Sequence, residues 1–243
     1  MKRVKRRHPV RNFIFAMLLF AFGMAAAVCA FFGVKGYRMY QEALSQSAIE
    51  ERVDAVRGRS DFTGYSEMPQ FYIDAVISVE DHRFMKHPGI DPIAIVRAIC
   101  TDIREMAFME GGSTITQQLA KNLLFTEDKK IERKAAEVFA AFDIEGKYSK
   151  EEIFELYVNT NCFGSGYEGV FDAATGYFGK FPSEMTDYES AMLAGVPNAP
   201  AVYSPDVNLE LANQRVGQVL QSMVRHQVIT QEEADQVLAG AWE

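Results

Sequence analysis

Three short stretches gather side chains able to do acid–base and anion chemistry. The first runs Glu80-Asp81-His82-Arg83-Phe84 and on through His87, Gly89 and Asp91, directly after the apolar-periodic residues Phe71, Ala75, Val76 and Val79. Acids, a base and two histidines therefore meet at one helix end. A zinc-hydrolase pattern needs two histidines one helical turn apart with a glutamate between them, whereas His82 and His87 stand five positions apart. A solvated helix terminus, with Asp91 capping the next helix, accounts for the same residues. The second stretch is Gly111-Gly112-Ser113-Thr114-Ile115-Thr116-Gln117-Gln118-Leu119-Ala120-Lys121-Asn122. Two glycines open a capped helix whose unpaired amides and positive dipole end suit a phosphate. Thr114, Gln118 and Lys121 fall opposite the Leu119 and Leu123 stripe, and an ordinary amphipathic helix would read the same way. The third stretch is Lys129-Lys130-Ile131-Glu132-Arg133-Lys134-Ala135-Ala136-Glu137, with an expected buried stripe of Ile131, Ala135, Val138 and Phe142. Arg133 and Lys134 fall within one turn of Glu137. Surface ion pairs at these spacings contribute about 0.2–0.5 kcal/mol each, but they leave four cations around one acid without a purpose.

The elements that must position these groups are legible from their ends. Capping boxes recur at Thr114 with Gln117, Ser149 with Glu152, Thr186 with Glu189 and Thr230 with Glu233, each opening an apolar-periodic run. Asp91 before Pro92 is a further N-cap and first-turn pair, and Gly179 and Gly195 mark helix ends. Sustained period-two alternation is nearly absent. From residue 61 onward the pattern is that of a mainly α globule with about eight helices, and residues 35–60 read as a polar connector.

The N-terminus differs from the rest. MKRVKRRHPVR carries six basic residues and no acid, while the whole chain carries −8, so the remainder must sum to about −14. A nucleic-acid partner is excluded, because counterion release needs a basic footprint on the folded domain itself. Residues 13–34, FIFAMLLFAFGMAAAVCAFFGV, are uncharged and would span about 33 Å as a helix, enough to cross a bilayer. A cleaved leader would have a shorter apolar region followed by its cleavage site, but Ala25-Ala26-Ala27 lies inside the run. A retained anchor is expected, with residues 1–11 as a cytoplasmic basic tail, 12–34 as the membrane span and 61–243 as the extracytoplasmic domain. The three cysteines give no disulfide framework, since Cys29 falls in the span and only Cys100 and Cys162 remain to pair.

Together the clusters resemble the peptidoglycan glycosyltransferase family, which also forms the N-terminal module of bifunctional penicillin-binding proteins. EDHRFMKHPGID is similar to the family's first motif, GGSTITQQLAKN to its second and RKAAE to its third. EEIFELYVNTNCFGSGYEGVFDAATGYFGK is similar to the fourth, and AMLAGVPNAPAVYSP to the region after it. The resemblance covers about residues 65–240, and the absence of transpeptidase motifs before Glu243 points to the monofunctional members. Lys129 stands where the family often has arginine, keeping the charge but not the planar fork that grips phosphate bidentately. Asn161-Cys162 stands where the family has an apolar pair such as Ile-Tyr.

The resemblance implies a lysozyme-like, two-lobed α domain behind one transmembrane helix, in the cell membrane with its N-terminus in the cytoplasm. It implies polymerisation of lipid II into β-1,4-linked glycan with release of the polyprenyl pyrophosphate carrier. Glu80 would be the general base of an inverting displacement, and Lys121, Arg133 and Lys134, assisted by Lys129, would bind the leaving pyrophosphate. Ser113 and Gln117 would contact the donor. Glu137, similar to the family's second essential glutamate, would organise the cations, bind a divalent cation (Mg or Mn) bridging the pyrophosphate, or position the acceptor. Glu152 and Glu155 would serve as capping partner and exposed helix charge. Partners would be lipid II and the growing glycan, the bilayer, and other cell-wall synthesis proteins. Ile103, Met106, Phe108 and Met109 would either dip into the membrane interface or pack the core. Two rivals stay in view. A hydrolase of finished glycan would leave the cations idle, and a catalytically dead scaffold would not need Glu80 or Glu137.

Overall fold

The computed structural model describes residues 9–105, 112–125 and 131–240. The basic tail before residue 9, Met106, Phe108, Met109, Gly111, Lys129 and the side chains of Cys100 and Ile103 lie outside the described residues. The chain is mainly α, as expected, with one isolated antiparallel bridge between Cys162 and Glu168 among the described residues. In chain order the helices are α1 (Pro9–Gln46), α2 (Ile49–Arg57), α3 (Gln70–Glu80), α4 (Pro92–Glu105), α5 (Ile115–Leu124), α6 (Ile131–Lys147) and α7 (Lys150–Thr160). They continue with α8 (Val170–Phe178), α9 (Asp187–Gly195), α10 (Pro200–Tyr203), α11 (Leu209–Arg225) and α12 (Gln231–Ala239). Beyond residue 61 this exceeds the number expected, partly because α10 is a single turn of 4 residues.

All four capping boxes form: Thr114, Ser149, Thr186 and Thr230 each accept from the amide three residues on. These ends were readable because a capping box closes within one turn of its own sequence. Gly179 ends α8 in the left-handed conformation, φ 67°. Gly195 ends α9 differently, with helical φ −83° and ψ −28°, as the chain runs on into a 3-10 turn.

Residues 35–60 are not a connector. α1 runs on to Gln46, 38 residues and about 57 Å in all, and α2 follows almost at once. Tyr40, Ala43, Ile49 and Val53 are buried in the common core with Tyr72, Phe84, Leu119, Ile144 and Tyr157. The polar composition misled because a helix needs only one apolar stripe to be buried. The first part of α1 remains bare, with Phe13, Phe15, Leu18, Phe20 and Phe22 all exposed, and it is long and apolar enough to cross a membrane. Its later part packs along α6. A Cβ at Gly36 would lie 2.5 Å from Ala135 Cβ and 2.8 Å from the Ala136 amide, so only glycine allows this approach. Tyr37 meets Phe139 edge-on at 5.3 Å, and Tyr40 Oη donates to Asp143.

That contact corrects the expected stripe on α6. Ala136, Glu137, Ala140, Ala141 and Ile144 are buried, whereas Ile131 is 65% and Phe142 48% exposed, and Ala135 and Val138 are half-buried. The helical period was right and its phase was off by two positions, which puts the buried stripe on roughly the opposite face. α6 is clasped between α1 and α5, and small alanines mark where helices approach closely. The shift turns Glu137 from a surface residue into a buried one.

Candidate active site

Glu80 is the last residue of α3, which is driven into the core by Tyr72, Ile73, Ala75 and Val76. Its carboxylate is half-buried, and Oε2 accepts a 2.8 Å hydrogen bond from Gln118 Nε2 on α5. Tyr157 Oη on α7 donates to Gln118 Oε1 at 3.3 Å, which fixes the orientation of the amide. Burial pushes the Glu80 carboxyl above the usual carboxylate range, the Gln118 hydrogen bond and the charge of Arg215 oppose the rise, and Asp81 adds to it. Oε1 has no hydrogen-bond partner among the described residues. A carboxylate held on one oxygen, open on the other and made more basic by burial is what a general base requires.

The N-terminus of α5 is already closed, contrary to the expectation of free amides for a phosphate. The Ile115 amide donates to Asp81 Oδ2 at 3.1 Å, the Thr114 amide to Gln117 Oε1 at 3.1 Å and the Gln117 amide to Thr114 Oγ1 at 3.1 Å. Thr114, expected on the exposed face, is buried and donates through Oγ1 to Gly89 O at 2.6 Å. Gln117, expected at the donor end, is 3% exposed and occupied by this cap. Asp81 also accepts from His87 Nε2 at 2.9 Å, so it ties the loop after Glu80 to α5. The carboxylate sits where a bound anion would, and the helix dipole favours it there. Asp91 caps α4 through the Ile93 amide at 2.9 Å and pairs with Arg83 at 3.2 Å; burial raises its pKa, and the Ala94 and Ile93 amides outweigh that and lower it overall.

The cations gather at the start of α6. Glu137 is 1% exposed; its Oε2 lies 2.8 Å from Lys134 Nζ and its Oε1 3.2 Å from Arg133 Nε. Lys134 Nζ also donates to Ser113 Oγ just before α5, so Ser113 belongs to this cluster. Lys35 at the end of the apolar part of α1 joins the same turn through Glu132 at 3.1 Å. Lys121 lies one turn beyond Gln118 on the same side of α5 and is half-buried, with no partner for its Nζ among the described residues. α5 thus lies between the two groups: Gln118 holds Glu80, and Ser113, just before the helix, touches the cation cluster. The site can remove a proton at one end and neutralise a developing anion at the other.

Other charges take structural roles. Glu152 accepts from the Ser149 amide at 2.9 Å as expected, but Glu155 is not an exposed charge. Its side chain is 14% exposed, shares Arg57 with Glu152 and accepts from the Tyr65 amide. Cys162 is an exposed free thiol. Gln118 and Arg215 were not read from the sequence as partners of Glu80. The Gln118 phase on α5 was available as a signal; for Arg215 there was none.

A half-buried carboxylate at the end of α3 and a cluster of cations at the start of α6 thus lie on one α-helical frame. Residues 45–224 match the family described as Transglycosylase, and the chain belongs to that enzyme family. It is 43% identical over 177 residues to penicillin-binding protein 1A of Aquifex aeolicus (strain VF5), covering 73% of this chain and 24% of that protein. It is 37% identical over 240 residues to penicillin-binding protein 2D of Bacillus subtilis (strain 168), covering 94% of this chain and 34% of that protein. The chain therefore spans about a quarter to a third of the lengths of these relatives. Among solved structures, penicillin-binding protein 1A from Haemophilus influenzae matches with 31% identity and a TM-score of 0.35, over 51% of this chain and 15% of that one.

Proposed function

We propose that this domain is a peptidoglycan glycosyltransferase that polymerises a lipid-linked disaccharide, lipid II, into β-1,4-linked glycan and releases the polyprenyl pyrophosphate carrier. The observation that carries the reading is the pairing, across α5, of a half-buried carboxylate with a cation cluster organised around Glu137. Glu80 takes the proton of the acceptor sugar hydroxyl as it attacks the anomeric carbon, in one displacement that inverts that carbon. Pyrophosphate is a good leaving group, so Lys121, Arg133 and Lys134, with Lys129 assisting, bind it more tightly as its charge develops. Ser113 steadies Lys134. Glu137 holds the cations in place, because each of its oxygens faces one of them. A divalent cation (Mg or Mn) would find there one carboxylate already facing two positive groups, a donor set that does not fit a protein-held metal.

The exposed apolar part of α1 serves as a retained membrane anchor with the N-terminus in the cytoplasm, since the helix continues without a break through Ala25-Ala26-Ala27 into the packed domain. Ile93 and Val96 on α4, 52% and 60% exposed, support contact with the same lipid surface. The growing glycan and other cell-wall synthesis proteins would be its further partners. The test gives the detergent-solubilised protein labelled lipid-linked disaccharide-pentapeptide and, separately, finished glycan strands. Polymer is expected from the first and no product from the second. Glu80→Gln should reduce polymer formation by roughly 10²–10⁴-fold with little change in melting temperature. Cleavage of finished strands without polymerisation, or full activity in Glu80→Gln, would overturn the reading.

A further inference from the structure

Two rungs of hydrogen bonds join α5 to α7, which pack together. Gln118 and Asn122 stand four positions apart on α5, and Tyr157 and Asn161 four apart at the end of α7, so each pair lies on one face. Tyr157 Oη donates to Gln118 Oε1 at 3.3 Å, and Asn122 Nδ2 donates to Asn161 Oδ1 at 2.9 Å. The Asn161 side chain also bonds the Tyr157 hydroxyl. Both α7 residues are buried, Tyr157 to 1% exposure. Apolar side chains would pack this interface with no polar groups to satisfy, so the rungs ask for a purpose beyond stability.

That purpose lies one bond further on. Gln118 Nε2 donates to Glu80 Oε2 at 2.8 Å, so Tyr157 touches the partner of the carboxylate and not the carboxylate itself. A primary amide fits its slot either way round, with oxygen and nitrogen exchanged. Turned over, Gln118 would set Oε1 against Glu80 Oε2, an arrangement stable only when Glu80 is protonated and unable to act as a base. The rungs decide between the two. Asn161 Oδ1 is taken by Asn122, which leaves the Asn161 amide nitrogen to donate to the Tyr157 oxygen and the Tyr157 proton to point at Gln118. Donors then run in one direction, from Asn122 through Asn161, Tyr157 and Gln118 to Glu80, and each bond in such a chain strengthens the next. Asp81 does not compete for the amide, because it is held by His87 and the Ile115 N–H. We propose that Tyr157 and Asn161 are positioning residues that set the polarity of this chain, so that Gln118 always donates to Glu80 Oε2 and leaves Oε1 for the acceptor hydroxyl. The inference rests on Glu80 being the general base.

The experiment follows polymerisation of the lipid-linked disaccharide against pH with the whole detergent-solubilised chain. Tyr157→Phe removes only the hydroxyl and frees Gln118 to turn over. The rising acidic limb of kcat/KM should move up by about half a pH unit, the worth of one hydrogen bond, with the rate recovered at higher pH and KM unchanged there. The other charges acting on Glu80, Asp81 after α3 and Arg215 on α11, are left as they are by every variant. Asn161→Leu should move the limb the same way by less, and it decides if Tyr157→Phe fails to fold, as read from its melting curve. Gln118→Met removes the link itself, so adding Tyr157→Phe to it should move the limb no further. A limb that stays in place while the rate falls equally at every pH, an effect confined to KM, or shifts that add in the double variant would overturn the proposal and leave the rungs a brace between α5 and α7. Glu80→Gln separates the two claims. If it is inactive while the Tyr157→Phe limb is unmoved, only the positioning role fails; if it is active, the base assignment fails and this role with it.

Discussion

Glu137→Gln tests whether the second glutamate works on the cations or on the sugars. The substitution keeps the shape and removes the charge from a side chain 1% exposed between Lys134 at 2.8 Å and Arg133 at 3.2 Å. Breaking a fully buried ion pair costs about 3–5 kcal/mol because the remaining charge is stranded. Here the lysine side chain is 50% and the arginine side chain 17% exposed, so both can turn toward water. Solvent screening reduces the expected loss to about 1–2 kcal/mol, or roughly 2–8 °C in melting temperature for a domain of this size. The two cations, no longer bridged, should move apart. Affinity for the leaving group should then fall about tenfold, as expected for losing one charge-assisted contact. The assay is inhibition of polymerisation by polyprenyl pyrophosphate, with melting curves run alongside and Glu80→Gln compared by direct binding of the same compound. Glu137→Gln should bind it more weakly, and Glu80→Gln should bind it normally. Wild-type affinity in Glu137→Gln together with lost turnover would refute the organising role and place Glu137 against the reacting atoms.

Three further outcomes are expected. Gly36→Leu should destabilise the domain by about 1–3 kcal/mol, seen as a lower melting temperature, because the added side chain meets the α6 backbone at Ala135 and Ala136; an unchanged melt would mean α1 does not pack there. His82 and His226 stack at 4.1 Å, and burial lowers both below the usual histidine range. The unfolded chain therefore binds more protons than the fold, so stability should fall as pH drops from about 7 through the unfolded histidine range. His226→Gln should flatten that fall, and an identical slope would remove the pair from the explanation. A reporter fused after Glu243 should be active only outside the cytoplasm, and cytoplasmic activity would reverse the orientation.

The features that the sequence by itself determined are those settled within a few residues. Thr114 with Gln117, and the other three capping boxes, close between positions three apart, so composition at those positions decides the helix start. The apolar run in α1 is likewise its own evidence, since length and hydropathy depend on no partner. The motifs around Glu80, Ser113 and Glu137 pointed to these groups because the proposed reaction would need those types. Tertiary structure decided which of them face each other and which are already occupied. Asp81 reaches across 34 positions to close the α5 terminus, which no local pattern reveals. The buried face of α6 depends on α1 and α5 lying on either side of it, so the same helical period admitted a phase two residues away. Gln118 became the hydrogen-bond partner of Glu80 only when the fold brought α5 to the end of α3. Hydrogen bonding within a turn is fixed by chain connectivity, whereas burial and electrostatic partnership depend on which helices share the core.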